Sequence, residues 1–339
     1  MPAAAQFTLS TPDGSATFRF GLLAHAQGEW VEGADGESSA QNLFLKRGRF
    51  VMAGNVGENF SFFMGTISVD MGKAGPDGRR SEPAISFLDF VLTYRLSENW
   101  QVDAGKLLVA NSYNSGQGVT TLLGIDRGPH VFTTSGPLGL HAGRDYGIAG
   151  RGYLAGNHLE VRAGVFQGVR GTEADNPFRL AARVVWYPFE AHTGFYYPGP
   201  AFGRRKVVGV GVSHDRQNDY RGTGADVFVD LPVGENAVTA QVNVVRLDGG
   251  DLAPALAEQT TLFIEAGYYL KNLSISPFVQ YSKRDQRSGT VADEEVAQAG
   301  MAYWIDGHRL NVKLGAGTVK RQGGPRRAQV VLQAQLYLF

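Results

Sequence analysis

Residues 328–339 read AQVVLQAQLYLF, and apolar and polar side chains alternate through this stretch. The apolar row consists of Leu332, Ala334, Leu336 and Leu338. Gln333 and Gln335 form the opposite row, and Tyr337 and Phe339 share the parity of the glutamines. Alternation with a period of two predicts a β-strand with one apolar and one polar face. The aromatic residues leave the register of the final turn open.

The same period of two recurs along the whole chain. In HLEVRAGVF, for example, Leu159, Val161 and Val165 have the opposite parity to Glu160 and Arg162. We count about sixteen such runs, each roughly 9 to 14 residues long, which suits a tilted strand that crosses a bilayer. Their approximate spans are 15–30, 42–55, 59–71, 84–96, 99–109, 144–155, 157–168, 177–188, 204–215, 221–232, 236–247, 259–270, 272–284, 293–305, 308–320 and 327–339. The sequence therefore predicts an all-β chain.

Composition narrows the functional classes. The chain has 339 residues, with 45 Gly, no Cys and a formal net charge of zero. With a net charge of zero, the chain lacks the overall positive charge that favours binding to nucleic acid. The lack of Cys excludes disulfides and thiolate metal sites. The sequence contains no apolar run of about 18 residues, the length that predicts a membrane-spanning helix. The opening residues, MPAAAQF, lack the basic and apolar regions of a signal peptide, so we expect none in this sequence.

The connections between the runs alternate in length. Short turns include 57–59, 97–99, 155–157 and 234–236. Longer polar segments include 31–41, 72–83, 169–176, 248–258 and 285–292. This alternation is typical of a transmembrane antiparallel β-barrel with short periplasmic turns and longer extracellular loops. An even number of strands would place both ends of the chain on the side of the short turns.

The apolar face of the strands is expected to point outward. About sixteen strands enclose an interior too wide for side chains to fill, so an inward apolar face would not form a packed core. An outward apolar face would contact lipid instead. Aromatic residues near the strand ends, where interfacial girdles form, support this orientation. These residues are Trp30, Tyr94, Trp100, Trp186, Tyr187, Tyr268, Tyr281, Tyr303 and Tyr337.

Several stretches, taken in order, resemble the phosphate-selective porin O/P family of Gram-negative bacteria. They are LKRGRFVMAGNVGENFSF, FLDFVLTYR, FRLAARVVWYPFEAHTGFYYPGPAFGRRKVVGVGVSHD, DVFVDLPVG, IEAGYYLKNLSISPFVQY and YWIDGHRLNVKLGAG. The third stretch resembles the family's long periplasmic connection. The resemblance implies a sixteen-stranded, homotrimeric porin of the outer membrane, whose terminal aromatic residue faces lipid within the sorting signal read by the assembly machinery. It does not establish phosphate selectivity.

The longest connection, residues 110–143, follows the fifth predicted strand. A connection of this length without secondary structure of its own is usually functional. The resemblance implies that the loop folds into the barrel as a constriction, to which Asp126, Arg127 and His130 contribute charged or titratable groups. We expect its apolar residues, such as Leu123, to pack on the inner wall. The other interpretation is a long exterior loop at a contact between subunits.

Basic residues recur at positions whose parity points inward. The candidates among them are Arg19, Arg47, Arg49, Arg151, Arg162, Arg179, Arg183 and Lys313. Together with the three loop residues they are the candidate pore-lining and selectivity residues, because rings of cations favour anions. The resemblance adds that phosphate-selective members use a ladder of such residues. Acidic residues share the inward parity, so the alternative is a structural network of cross-strand ion pairs.

These features together predict a function. We expect a single outer-membrane barrel domain, residues 1–339, that forms a water-filled channel for passive diffusion of small hydrophilic solutes and ions, with at most a modest preference for phosphate-like anions. The expected partners are the lipid bilayer, lipopolysaccharide and further copies in a homotrimer, without nucleic acid. We expect no enzyme activity, catalytic residue, cofactor or metal site. The alternatives are a structural or interaction barrel without an open pore, an outer-membrane barrel enzyme and a soluble all-β protein.

Overall fold

The computed structural model describes residues 7–109, 111–287 and 292–339. The opening residues, Ala110 at the start of the predicted long loop and part of the predicted segment 285–292 lie outside the described residues. The strands are β1 (Phe7–Ser10), β2 (Ala16–Glu32), β3 (Ser39–Val56), β4 (Phe60–Met71), β5 (Ser86–Arg95), β6 (Trp100–Leu108), β7 (Arg144–Leu154), β8 (Leu159–Phe166), β9 (Arg179–Trp186), β10 (Val207–Gln217), β11 (Tyr220–Val233), β12 (Asn236–Asp248), β13 (Gln259–Tyr269), β14 (Ile275–Gln286), β15 (Glu294–Asp306), β16 (Leu310–Arg321) and β17 (Arg326–Leu338). The connections hold one helical turn, α1 (Tyr113–Gly116), and the 3-10 turns Val119–Thr121, Thr172–Ala174 and Lys271–Leu273.

Strands β2–β17 form a closed antiparallel barrel of sixteen strands. Each strand pairs with the next one along the chain, and β17 pairs with β2 from Gln329↔Val31 to Leu338↔Leu22. Closure leaves no open edge in the described sheet, which a membrane-spanning sheet requires because lipid cannot pair with backbone groups. The sixteen strands predicted from the sequence are confirmed, with bounds that differ by a few residues.

The short strand β1 folds back on β2 and was not predicted. Its register pairs Phe7 with Phe20 and Ser10 with Thr17, whereas β17 pairs with β2 from Leu22 onward. Strand β1 therefore continues the line of β17 along the same edge of β2. Its four residues carry too little alternation to signal a strand.

The two faces of the barrel differ in chemistry as the alternation predicts. On β10, Val210 and Val212 are 40% and 57% exposed on the outside, whereas Asp215 is 3% exposed on the inside. The neighbouring strand β11 repeats this arrangement with Val227 outside and Asp226 inside. An apolar exterior around a polar interior is the design of a barrel that spans a membrane. Among the described residues, no helix has the length and apolar character needed to cross a membrane.

The connections differ in length at the two ends of the barrel. We call the end with the connections after β3, β5, β7, β9, β11, β13 and β15 the short-turn end, and the opposite end the long-loop end. Gly57 and Gly234 take positive φ angles of 63° and 58° in these turns, a conformation that glycine adopts without steric cost. Three connections depart from the pattern. At the long-loop end, a two-residue turn, Asn218 and Asp219, joins β10 to β11, and the four residues 322–325 join β16 to β17. At the short-turn end, residues 187–206 join β9 to β10.

Aromatic residues near the strand ends lie mainly on the outer face. Trp100 and Trp186 are exposed there near the short-turn end. Two residues do not belong to this girdle, contrary to the prediction. Tyr187 is fully buried and donates a hydrogen bond to Glu160 over 3.0 Å, and Tyr337 faces inward beside the buried Leu23. Both have the inward parity of their strands, Tyr187 with Arg183 and Tyr337 with Gln333.

The aromatic residue at position 339 lies on the inner side of the barrel. The Phe339 ring is 6.4 Å from the ring of Phe63 on β4, and the guanidinium carbon of Arg19 lies 5.3 Å from it. Gly21 makes this position accessible, because a Cβ there would lie 2.2 Å from the carbonyl oxygen of Leu338 and 2.7 Å from the Cβ of Phe339. The expectation that this residue faces lipid is therefore wrong for this chain.

Candidate solute pathway

The described part of the long loop, residues 111–143, lies inside the barrel. The backbone N–H of Gly124 donates to Glu265 on β13 over 3.1 Å. Lys313 on β16 donates through Nζ to the carbonyl oxygens of Leu122 and Gly124, over 2.6 and 2.9 Å. Because these wall residues face inward, the loop crosses the lumen, as predicted. We refer to it below as the constriction loop.

Apolar packing holds the constriction loop against the wall. Leu123 and Ile125 belong to one buried cluster with Phe278, Trp304 and Val331 from β14, β15 and β17. Burial of apolar surface of this kind stabilises the docked loop. The inward packing predicted for Leu123 is confirmed.

Asp126 of the loop forms an ion pair with the wall. Its two carboxylate oxygens accept hydrogen bonds from Nη2 of Arg47 on β3, over 2.7 and 2.8 Å. A β-bulge lies immediately before Arg47. Arg47 pairs with His25 and Leu45 pairs with the next residue, Ala26, so Lys46 is the extra residue of the bulge. Burial alone would raise the pKa of Asp126, but the attraction of Arg47 outweighs it, so that its pKa lies well below the usual range. Asp126 is therefore an ionised anchor.

Arg127 and His130 are buried within the loop. Arg127 donates through Nε to the carbonyl oxygen of Asn114 over 3.1 Å, and also donates to the carbonyl oxygen of Gln117. His130 is 4% exposed, with Nε2 3.8 Å from a carboxylate oxygen of Glu294. Burial, reinforced by a nearby arginine, lowers the pKa of His130 to about 4. Arg127 thus supports the shape of the loop, whereas His130 lies against the wall at β15.

The predicted arginines on β7, β8 and β9 each face a carboxylate. Arg151 donates to Asp103, with Nε 3.1 Å from Oδ2. Arg183 forms two parallel bonds to Asp226, of 2.6 and 2.8 Å. The remaining pairs are Arg162 with Glu160, and Arg179 with both Asp215 and Asp145. This side of the wall is a network of buried, mutually neutralised charges.

One member of this network, Arg144, was not predicted from the sequence. Arg144 is 2% exposed and donates through Nε to Asp89 over 3.1 Å. Its Nη2 also donates to the hydroxyl of Tyr196 over 2.8 Å, and this hydroxyl donates to Asp89 over 2.5 Å. Arg144 is the first residue of β7 and has outward parity in the alternation. No period-two signal could have revealed its inward contacts.

Two predicted cations have no described carboxylate within ion-pair distance. Arg19 is exposed and Arg49 is half-buried, and both have inward parity on β2 and β3. The register places Arg47 opposite His25, Arg49 opposite Leu23 and Arg19 opposite Ala53. The three arginines therefore descend one section of the wall, from the constriction loop toward the short-turn end. Lys313 differs from them, because it is buried beneath the loop.

A cavity of about 340 Å³ lies beside the constriction loop. Asp126 and Pro129 of the loop line one side, and the inner faces of β2, β3 and β13–β17 line the other. Its wall is rich in side-chain amides and includes Arg321 and Arg327 near the long-loop end. The amides are Gln27, Gln280, Gln298 and Gln329. A polar lining of this kind accommodates water and hydrophilic solutes.

Comparison with known proteins identifies the fold. No protein-family model matches the sequence, and no curated protein matches it. The structure is similar to an anion-selective porin from Comamonas acidovorans, with a TM-score of 0.61 and 13% identity over 95% of this chain and 99% of that chain. It is also similar to the outer membrane channel DcaP of Acinetobacter baumannii, with a TM-score of 0.59 and 12% identity over 97% and 99% of the two chains. A trimer form of OmpT, an outer membrane protein of Vibrio cholerae, gives a TM-score of 0.58 and 10% identity over 95% and 99%. At these identities, the likeness establishes the sixteen-stranded barrel fold that porins share.

Proposed function

We propose that the chain is a porin of the bacterial outer membrane, a water-filled channel for passive diffusion of small hydrophilic solutes and ions. The observation that carries the proposal is the polar cavity of about 340 Å³ between the constriction loop and the inner wall. A closed barrel with an apolar exterior belongs in a membrane, and a polar lumen beside an inward loop suits a diffusion channel. The organisation as a single domain over residues 1–339 is part of this proposal.

A modest preference for anions follows from the accessible cations. Arg49 and Arg19 lack a described carboxylate partner, whereas Asp126 neutralises Arg47. Arg49 and Arg19 thus line one section of the wall with uncompensated positive charge, which attracts anions in a narrow, partly desolvated lumen. The paired arginines on β7–β9 contribute little net field. The selectivity roles of all eleven candidates, and the finer resemblance to the phosphate-selective O/P family, stay predictions.

The proposed partners are lipid, lipopolysaccharide and further copies in a homotrimer. Arg216 and Arg221 are exposed, outward-facing neighbours across β10 and β11 near the long-loop end. Two like charges placed opposite each other disfavour the sheet, and phosphate groups of lipopolysaccharide would neutralise them. The trimeric form of Vibrio cholerae OmpT and the family resemblance support the trimer.

Conductance in a planar bilayer tests the proposal. The detergent-purified protein is reconstituted, and single channels are recorded across a KCl gradient. We expect steady stepwise conductance, in triplets for a trimer, with a reversal potential on the anion side. A block of chloride current by added phosphate would extend the selectivity to phosphate. A folded protein without conductance would favour the structural barrel or the barrel enzyme, and a reversal potential on the cation side would contradict the role of the arginines.

A further inference from the structure

The connection between β9 and β10, residues 187–206, enters the lumen from the short-turn end. It reaches the far side of the wall through two neighbouring side chains. The Phe195 ring lies 6.5 Å from the ring of Phe63 on β4, and the Tyr196 hydroxyl donates to Asp89 on β5 over 2.5 Å. Strands β4 and β5 are several strands away from β9 around the barrel, so this segment leaves the wall and crosses part of the interior.

The later part of the connection returns along another section of the wall. The backbone N–H of Ala201 donates to Asp230 on β11 over 2.7 Å. The Phe202 ring packs 4.9 Å from the ring of Trp304 on β15 and 5.1 Å from Tyr269 on β13. The connection therefore has fixed contacts on both sides of the lumen.

The connection and the constriction loop meet inside the barrel. The backbone N–H of Gly118 donates to the carbonyl oxygen of Tyr197, and the N–H of Tyr197 donates to the carbonyl oxygen of Gly116, each over 3.0 Å. The Tyr113 ring stacks on Tyr197 with a centroid distance of 4.8 Å and on Phe228 of β11 at 3.9 Å. A loop from one end of the barrel is thus joined to a connection from the other end by backbone hydrogen bonds and a stack of three rings.

Gly199 shows how closely the two backbones approach. Its φ is +67°, and a Cβ at this position would lie 2.2 Å from the carbonyl oxygen of Thr121 and 2.6 Å from Nε2 of Gln117. Gln117 donates from Nε2 to the same Thr121 carbonyl over 2.8 Å. A side chain at position 199 cannot be accommodated without separating the connection from the loop.

We propose that the constriction loop and the connection 187–206 form one rigid partition, which closes off the side of the lumen lined by β5–β12. Residues 122–126 of the loop are themselves docked on β13–β17, so passage then follows β2 and β3, past Arg49 and Arg19. This inference rests on the proposed channel function and specifies its route. The cavity of about 340 Å³ lies on the open side, whereas the space between Phe195 and the wall of β6–β9 is about 50 Å³. Tyr197 and Gly199 are the residues at which the two segments of the partition join.

Cysteine accessibility tests the partition without relying on current. The chain contains no Cys, so a single introduced thiol reports its own site. Ser213 on β10 is 7% exposed and donates to the carbonyl oxygen of Asn111 over 2.7 Å, behind the partition, whereas Gln329 lines the open cavity. With a water-soluble charged thiol reagent, we expect Ser213→Cys to react roughly ten-fold more slowly than Gln329→Cys, because thiol reactivity requires access. Equal rates in folded barrels would overturn the partition.

A pair of glycine substitutions tests the junction. In the Ser213→Cys background, Gly199→Ala is expected to raise the labelling rate roughly ten-fold, by separating the connection from the loop and exposing the thiol. Gly234→Ala is the matched control, since Gly234 also has a positive φ, of 58°, but a Cβ there would meet nothing within 4 Å beyond its own chain neighbours. Heat-modifiable migration on a gel confirms folding of each variant. Slow labelling in a folded Gly199→Ala barrel would contradict the close approach as the basis of the partition.

An engineered disulfide across the junction tests whether the partition stays in place in the conducting channel. Gln117 and Tyr197 are partners in a parallel β-bridge, a spacing that a disulfide can span. We expect oxidation of Gln117→Cys/Tyr197→Cys to leave the single-channel conductance equal to that of the reduced form. A conductance that falls on oxidation and returns on reduction would overturn a rigid partition. Absence of current from the native chain would count against the proposed function, while the labelling rates would still decide whether the partition exists.

Discussion

Arg183 on β9 and Asp226 on β11 face each other across the inner side of β10, with Nη1 and Nη2 of the guanidinium group 2.6 and 2.8 Å from the carboxylate oxygens. Each side chain is about as buried as a core residue, at 2% and 1% exposure. The parallel geometry fixes both partners and uses the planar fork that distinguishes Arg from Lys. One side of the lumen therefore carries charge without a net field, while the side with Arg49 and Arg19 carries uncompensated cations.

Removal of one partner of this pair should destabilise the barrel. Asp226→Ala leaves a buried guanidinium without a counter-charge, which costs about 3–5 kcal/mol in comparable buried pairs. The double variant Arg183→Met/Asp226→Leu removes both charges and should recover most of that loss. Urea unfolding in detergent micelles, followed by tryptophan fluorescence, measures the free energies of unfolding. Equal losses in the single and double variants would mean that packing, and not the uncompensated charge, determines the effect.

Selectivity should depend on the accessible arginines and not on the paired ones. Arg49→Gln and Arg19→Gln remove unpaired charge from the lumen, so each is expected to lower the anion-to-cation permeability ratio roughly two-fold. The neutral pair Arg183→Gln/Asp226→Asn is the matched control, because it removes an arginine without changing the net charge. Reversal potentials in a KCl gradient give the ratio. A larger shift in the control than in Arg49→Gln would contradict the assignment.

Strand parity predicted where these side chains point, but not what they meet. The alternation placed Arg183 and Arg49 on the same inner face, yet the first has a carboxylate two strands away and the second has none described. The difference depends on the register of β9, β10 and β11, which a single sequence does not specify. The entry of residues 187–206 into the lumen depends likewise on contacts with distant residues such as Asp89.

The inward orientation of the Phe339 side chain is a second feature that the alternation within one strand does not determine. Its parity with Gln333 and Gln335 was visible in the sequence, but the room for its ring comes from Gly21 in the neighbouring strand. Such room is a property of two strands in register, and alternation within one strand does not reveal it. The sequence therefore predicted the barrel and the faces of its strands, whereas the partition and the pairing of charges required the folded chain.

Acid should loosen the constriction loop through His130. Burial, with Arg284 as the next cause, lowers the pKa of His130 from 6.5 to about 4. An undocked loop would bind a proton at the ordinary pKa, so the docked loop loses stability as the pH falls from 6.5 toward about 4. We expect steady current above pH 6.5 and growing current noise below it. His130→Gln cannot titrate and should reduce this pH dependence, and an unchanged noise profile in the variant would assign the effect to another group.

Closure of the barrel should depend on the absence of a side chain at Gly21. A Cβ there would lie 2.2 Å from the carbonyl oxygen of Leu338, a backbone atom that cannot move without disturbing the pairing of β17 with β2. Gly21→Ala is therefore expected to destabilise the barrel by about 1–3 kcal/mol, the usual cost of overpacking. Gly28→Ala in the same strand is the matched control, since its Cβ would meet only a Leu43 methyl group at 3.9 Å.

The temperature at which each Gly variant loses its compact migration on a detergent gel compares the two substitutions. A lower transition for Gly21→Ala alone is expected, because only that substitution collides with the closing strand. Equal transitions would show that the end of β17 can shift to admit the methyl group. Phe339 would then be free to leave the inner face, and its contact with Phe63 would not be needed to close the barrel.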